Sequence, residues 1–345
     1  MRLLKIGITH GDINGISYEV LLRTLQDPEL LEFCTPIVFG SLQVAEAVTQ
    51  QLQLEPVPFC VIRSAAEAID GRINLVDVCL QKEPTLSFGT QTEAALQAEA
   101  DSLTAALEAY RQQQIGALVT LPGHLDNDDT THALSNFISR AIGTTQEVFD
   151  WCINGSLRTL ILHQMDVSTQ LGEGLASEAF QTHIRNIHQS LRQDFGFIRP
   201  RMAIVSKQEK VKGDLDELRS LGATIFGPFD PATFVEKGYQ HHYDACFFLG
   251  ADDARRQAFE AEDPDNAIGY VSGLPLVLTY PLQGISYDIA GQGKANPAPF
   301  RQAIYAAIDI ERSRFTYSRA TAHPLEKQWI PRGRDDFKLD LTKEE

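Results

Sequence analysis

Short apolar runs rich in β-forming residues alternate along this chain with longer segments whose apolar residues recur at helical spacing, and that alternation constrains the fold most. The runs are Leu3 to Thr9, Pro36 to Gly40, Ile73 to Cys79, Ala117 to Leu121, Leu157 to His163, Arg201 to Ser206, Thr224 to Phe226 and Asp244 to Leu249. Between them, Thr92 to Gln113 and Ser177 to Asp194 carry the helical period. Strands separated by helices pair in parallel, so the pattern predicts an α/β protein with a mainly parallel, doubly wound sheet. No repeat of solenoid or propeller length interrupts it.

The 345 residues suffice for about two domains with cores that need no staples. A polar run from Gly123 to Thr131 follows a strand and is the expected crossing point, and the helix from Pro297 to about Arg312 is expected to return to the first domain. The expected division is therefore 1–125 with 292–315, then 126–291, with 316–345 as a charged, apolar-poor C-terminal arm.

A formal net charge of −16 without clustered Lys and Arg repels phosphate backbones, which argues against nucleic acid as a partner. No run has the length a membrane helix needs, and MRLLKIGITHGD enters a strand pattern at once, so a cytoplasmic location is expected. Cys34, Cys60, Cys79, Cys152 and Cys246 lie far apart in apolar surroundings and read as small buried hydrophobes rather than metal ligands.

Two glycine turns are candidate ligand sites. Gly11 and Gly15 sit between a strand and a helix, where free N–H groups favour anions; a phosphate cradle and an ordinary strand-to-helix turn are both open. The second, Ala290 to Ala295, joins the strand-like Ile285 to Ile289 to the helix after Pro297, and Lys294 could meet a phosphate or carboxylate there. Among nine histidines none forms a zinc-type motif. His183 and His188 read as solvated helix residues, whereas His163 ends a strand, the place where open α/β sheets bind ligands.

The opening Thr9-His10-Gly11-Asp12-Ile13-Asn14-Gly15-Ile16-Ser17-Tyr18-Glu19 resembles the first-strand signature T-x-G-D-x-x-G-I-G-x-E of the 4-hydroxythreonine-4-phosphate dehydrogenases. The resemblance continues, in order, through Ala117 to Thr120, Gln193 to Gly196, Phe226 to Pro228, Ser272 to Pro275 and Tyr287 to Ala295. It implies a two-domain α/β fold like that of isocitrate and isopropylmalate dehydrogenases, a homodimer and a small-molecule site in the interdomain cleft. It also implies NAD as cofactor and a divalent, zinc-type metal on three histidines that polarises the substrate hydroxyl.

Carried over residue by residue, the resemblance is incomplete. The first metal histidine matches His163. The second falls in Ser206 to Lys210, which has no histidine, and the third falls on Ala251, beside Asp252. In the substrate-phosphate motif G-H-T the histidine matches His132 and the threonine is Ala133. A lysine, an asparagine and an arginine that grip the family substrate fall near Phe259, Gly269 and Leu278, and D-H-G-T-A reads Leu282 to Ser286. The cofactor turn with Asp288, Gly291, Gly293 and Lys294 is intact. His132 and Asp252 are thus the candidate catalytic residues, and His163 is the candidate metal ligand. Three functions stay open: the family dehydrogenase, an enzyme of altered substrate or metal use, and a non-catalytic binding or regulatory homologue.

Overall fold

The structure is a computed structural model and describes residues 3–79, 85–124, 133–160, 178–207, 215, 219, 224–263 and 267–322. Its centre is a nine-stranded sheet in the order β3-β4-β2-β1-β5-β12-β11-β6-β7. These strands are β1 (Leu4–Thr9), β2 (Cys34–Gly40), β3 (Phe59–Ile62), β4 (Ile73–Asp77), β5 (Ala117–Thr120), β6 (Phe149–Asn154), β7 (Leu157–Leu160), β11 (Ile268–Ser272) and β12 (Val277–Pro281). A second sheet, of three strands, has the order β10-β8-β9, with β8 (Met202–Val205), β9 (Ile225–Phe229) and β10 (Ala245–Phe248). The α/β, doubly wound reading therefore holds.

Parallel pairing runs from β3 through β4, β2, β1 and β5 to β12. Ile6 and Ile8 are fully buried because helices cover the sheet on both faces. The pairing then reverses: β11 is antiparallel to both β12 and β6, and β6 to β7. Of these four strands the apolar runs indicate only β7.

Helix α1 (Ser17–Leu25) follows β1, and α2 (Leu30–Phe33) precedes β2. Helix α3 (Leu42–Leu52) is capped by Ser41 on the Val44 N–H, and α4 (Glu93–Arg111) by Thr92 on the Ala95 N–H. Next come α5 (Ala133–Ile142), α6 (Glu178–Gln193), α7 (Pro231–Glu236) and α8 (Asp252–Glu260). The last, α9 (Ala298–Thr321), buries Phe300, Ala303, Ile304, Ala307 and Ile308, a stripe at the spacing a covered helix face requires. It lies on β12, where Thr279 Oγ1 donates to Ala303 O at 2.8 Å, and it runs on past the expected end at Arg312.

Helix α9 is fastened to the antiparallel strands by a buried cation. Arg314 Nε meets Asp194 Oδ1 at 2.8 Å and its Nη2 donates to Tyr270 Oη at 2.9 Å. The segment Gln193 to Gly196 thus supplies the counter-ion for α9. The expected strand Ile285 to Ile289 does not form. Ile285 O accepts from Ile16 N at 3.1 Å, and Ile289 N turns back onto Ser286 O, so the segment docks on the first loop as a turn.

Candidate functional site

Between β1 and β5 the winding of the sheet changes direction, since β1 pairs with β2 on one side and β5 on the other. The loops that leave these two strands start at their carboxyl ends, the end of an open α/β sheet where ligands are taken. The β1 loop is drawn tight against its neighbour: Gly11 has φ +59°, and a Cβ on it would lie 2.2 Å from Pro122 O. Asp12 N donates to the same carbonyl at 2.9 Å. A Cβ on Gly15 would meet Ile285 O at 2.7 Å, so a third loop, after β12, closes on the first.

Three side chains from these three loops converge. Asp12 is fully buried; its Oδ1 accepts from Asn14 N at 2.7 Å, and its Oδ2 lies 2.8 Å from His124 Nε2. Tyr287 Oη donates to the same Oδ2 and stands 3.1 Å from His124 Nε2. Burial, then the hydrogen bond to Asp12 and its charge, raise the Tyr287 phenol well above its ordinary value, so it stays a donor. His124 N donates to Glu99 Oε2 at 3.1 Å. Asn14 stitches a fourth segment to the site, accepting from Ser87 N at 2.7 Å and donating to Thr90 O and Thr92 Oγ1.

The Gly11 to Gly15 turn is therefore no open phosphate cradle. The N–H groups of Asp12, Asn14, Gly15 and Ile16 are all spent on protein acceptors, and the turn encloses a carboxylate. The second glycine turn is fixed from below by Glu19. Its buried carboxylate accepts from Gly293 N at 3.2 Å and Ala295 N at 2.9 Å. Arg23 pairs with Glu19 at 3.3 Å and donates to Gly293 O at 2.7 Å. Gly291 and Gly293 both take positive φ, and Gln292 Nε2 caps Asp288 O. Lys294 is exposed, with Nζ on Gln292 Oε1 at 2.9 Å. The turn has the fixed backbone that a nucleotide contact needs, but the Gly293 and Ala295 donors are committed inward.

At the carboxyl end of β10, Ala251 precedes Asp252, which is exposed in the first turn of α8. Asp252 is not in the Asp12 cluster. His132 and His163 lie outside the described residues. His241 and His242 cannot replace the histidine missing at Ala251, because they precede β10 and stand at its opposite end; His241 Nδ1 lies 2.8 Å from Ser156 Oγ at the β6–β7 turn. Among the described residues no three acidic, histidine or cysteine side chains are grouped to hold a metal. The donors present at Ala251, Ser206 and Lys207 do not fit a three-histidine centre.

The three residues near which the resemblance places the gripping side chains are packed in the fold. Leu278 is fully buried in one apolar cluster with Leu118, Val271 and Leu276, and the space beside Gly269 is filled by the Tyr280 ring. Phe259 packs on the cluster of Phe234 and Phe248.

His183 and His188 are not merely solvated: His183 Nε2 pairs with Glu147 at 2.7 Å with 14% of its side chain exposed, and burial lowers the His188 pKa. A separate groove of about 1120 Å³, lined by Leu4, Phe33, Ile115, Ile308 and Phe315 among others, opens at the amino end of β1 and β5, away from the glycine turns. The cysteines are free, and all but Cys60 are buried.

The sequence reading passed over His124 as a site residue and took Tyr287 only as part of a motif. The available signal was positional: His124 closely follows a buried parallel strand.

Comparison with known proteins agrees with this architecture. The sequence profile of the family described as "Pyridoxal phosphate biosynthetic protein PdxA" matches residues 32–307. A 4-hydroxythreonine-4-phosphate dehydrogenase of Bacteroides thetaiotaomicron is 32% identical, covering 98% of this chain and 97% of its own length. A D-threonate 4-phosphate dehydrogenase of Cupriavidus necator is 25% identical over 90% of this chain and 98% of its own. The crystal structure of 4-hydroxythreonine-4-phosphate dehydrogenase from Klebsiella pneumoniae superposes with a TM-score of 0.69 at 20% identity, covering 90% of this chain and 98% of that one.

Proposed function

Because this chain belongs to the PdxA family, we propose that it keeps the family scaffold as a small-molecule-binding or regulatory homologue and no longer oxidises 4-hydroxythreonine-4-phosphate with NAD. The observation that supports this reading is the packing at positions near which the resemblance places gripping residues: Leu278 lies in an apolar cluster and Gly269 under Tyr280. Ala251 supports it by offering no ligand to a metal at the end of β10. Charge-assisted contacts are worth about 1.5–3 kcal/mol each, so losing several weakens phosphate anchoring by powers of ten. When bound in a family dehydrogenase, the metal polarises the substrate hydroxyl and NAD accepts hydride. In this chain the retained parts are the Asp288 to Lys294 turn, which could hold an adenosine fragment, and the Asp12, His124 and Tyr287 cluster.

The same reading includes the domain division at 1–125 with 292–315 and 126–291, a homodimer and a cytoplasmic location. No helix among the described residues is long and apolar enough to cross a membrane.

The test monitors NADH formation by purified protein with zinc, cobalt or magnesium added, beside a thermal-shift titration with NAD. The expected result with 4-hydroxythreonine-4-phosphate is no turnover. Formation of NADH at about 1 per second or faster would overturn the reading. A second reading, an oxidoreductase of altered substrate, is favoured by the intact Asp12, His124 and Tyr287 network. The C. necator relative, named for D-threonate 4-phosphate, makes that compound the second substrate in the assay.

A further inference from the structure

We propose that the segment 323–345 docks back onto the apolar groove at the amino ends of β1 and β5, with Trp329 and Ile330 as the buried contact. The groove encloses about 1120 Å³ and has Leu4, Ile115 and Ile308 in its lining. Phe33 and Phe315 also line it, with 40% and 56% of their surface left to water. A contiguous apolar surface of this kind marks a place that another element covers. Gly116 keeps the groove open, since a Cβ on it would lie 2.8 Å from Leu4 Cδ1 and 4.0 Å from Glu311 Oε1.

Reach, composition and charge select the occupant. Helix α9 lines the groove from Ile308 to Phe315 and ends at Thr321, roughly 9 Å beyond Phe315 along its axis. The seven residues from His323 to Trp329 span up to about 23 Å when extended, so Trp329 can return to the groove with length to spare. Residues 323–345 lie outside the described residues; in their sequence Trp329 and Ile330 are adjacent, with Lys327, Arg332 and Arg334 on either side. The cations of the groove already have partners: Lys5 Nζ donates to Ala65 O, Arg111 to Ala141 O and Glu108, and Arg312 lies 3.9 Å from Asp309. Its carboxylates do not, for among the described residues neither Glu32 nor Glu311 has a salt bridge or a side-chain hydrogen bond. Burial raises the Glu311 pKa against the opposing charge of Arg314. Glu311 thus offers the acceptor that a buried indole N–H requires, and Glu32 offers a counter-ion to the flanking cations. A tethered segment also has an effective concentration that a second copy of the chain lacks. Ile308, Phe315 and residues 323–345 all lie beyond residue 307, where the match to the family profile ends, so wall and occupant fall together outside the shared region.

The experiment reads Trp329 in the full-length protein, where the other tryptophan, Trp151, is fully buried. The difference between wild-type fluorescence and that of Trp329→Phe isolates its signal. That signal should be blue-shifted, and acrylamide should quench it about tenfold more slowly than free tryptophan, the ratio for a docked state favoured by roughly 1.4 kcal/mol. Phe315→Glu on α9 and Phe33→Glu on α2 alter exposed side chains and should keep the fold, and each should return Trp329 to the free quenching rate. If one variant does not fold, as judged by circular dichroism, the other carries the test. Quenching of Trp329 in the wild type at the rate of free tryptophan would overturn the proposal. So would shielding that the folded groove variants leave intact, which puts the indole elsewhere, or shielding lost on about hundredfold dilution, which makes the occupant the segment of a second copy.

Discussion

His10 is fully buried at the end of β1, with its ring 5.3 Å from that of Tyr18 and Nδ1 donating to Gly11 O at 2.7 Å. Burial pushes its pKa down from 6.5 to about 4, against the smaller raising effects of its backbone hydrogen bonds and of Asp12 and Asp101. Between these values the unfolded chain binds a proton that the folded chain refuses. The contribution of neutral His10 is thus complete above about pH 6.5 and is lost as pH falls through about 4. Denaturant unfolding should lose about 3 kcal/mol over that window from this group, and His10→Gln should remove that part of the slope. An identical slope in the variant would show that other groups carry it. Asp12 is the second residue whose role can be isolated. Asp12→Ala strands the Asn14 N–H, the Tyr287 hydroxyl and the His124 Nε2–H, and should cost about 3 kcal/mol or more by the same measurement. Little of this was legible beforehand: Asp12 was visible in a motif, but its partner side chains His124 and Tyr287 come from positions more than a hundred residues away, and a spacing in sequence does not reveal which loops meet.

Among elements, the parallel strands β1, β2, β4 and β5 were legible because burial on both faces writes them as continuous apolar runs, whereas the half-exposed β3 and the Thr279- and Tyr280-bearing β12 were not read. The β6 and β11 strands were not, since Asp150, Trp151 and Tyr270 interrupt that texture with polar atoms satisfied inside the fold; Ser135 donates to Asp150 and Trp151 to Ser272. The end of α9 was misjudged because polar residues beyond Arg312 mark an exposed face and not a stop. Two elements are held by single buried charges. Glu19→Ala should release the 291–295 turn, speeding amide exchange at Gly293 and Ala295 while α1 stays protected; unchanged exchange would mean the turn holds itself. Arg314→Ala leaves Asp194 without its buried partner and should cost about 3–5 kcal/mol, whereas Arg314→Met with Asp194→Leu should recover much of that loss. Equal losses in both would show that the contact to Tyr270, not the charge, matters.

For the whole molecule, the order of short motifs along the chain conveyed the family and the α/β class, because only a shared scaffold keeps so many separate fragments in sequence. What it conveyed poorly was the site, for two candidate residues, His132 and His163, lie outside the described residues and Asp252 is exposed beside Asp253 in the first turn of α8. Metal content is decided at this scale. Protein purified without chelator should contain far less than one zinc, cobalt or nickel per chain, and His163→Ala should change nothing, since one imidazole does not replace the three or more protein ligands zinc usually takes. Stoichiometric metal that vanishes in the variant would reverse this expectation.

The place of β12 has a further consequence for how the protein is made. β5 is neighboured on one side by β1 and on the other by β12, a strand that follows it by more than 150 residues, and α9 covers β12 in turn. During synthesis the open flank of β5 has to wait while the whole antiparallel portion leaves the ribosome. A nascent chain halted near residue 265 carries an unpaired, apolar edge, the state most open to chaperone capture or mispairing. Ribosome-bound chains of that length should accordingly be degraded by mild protease, and chains extended past Thr321 should resist it.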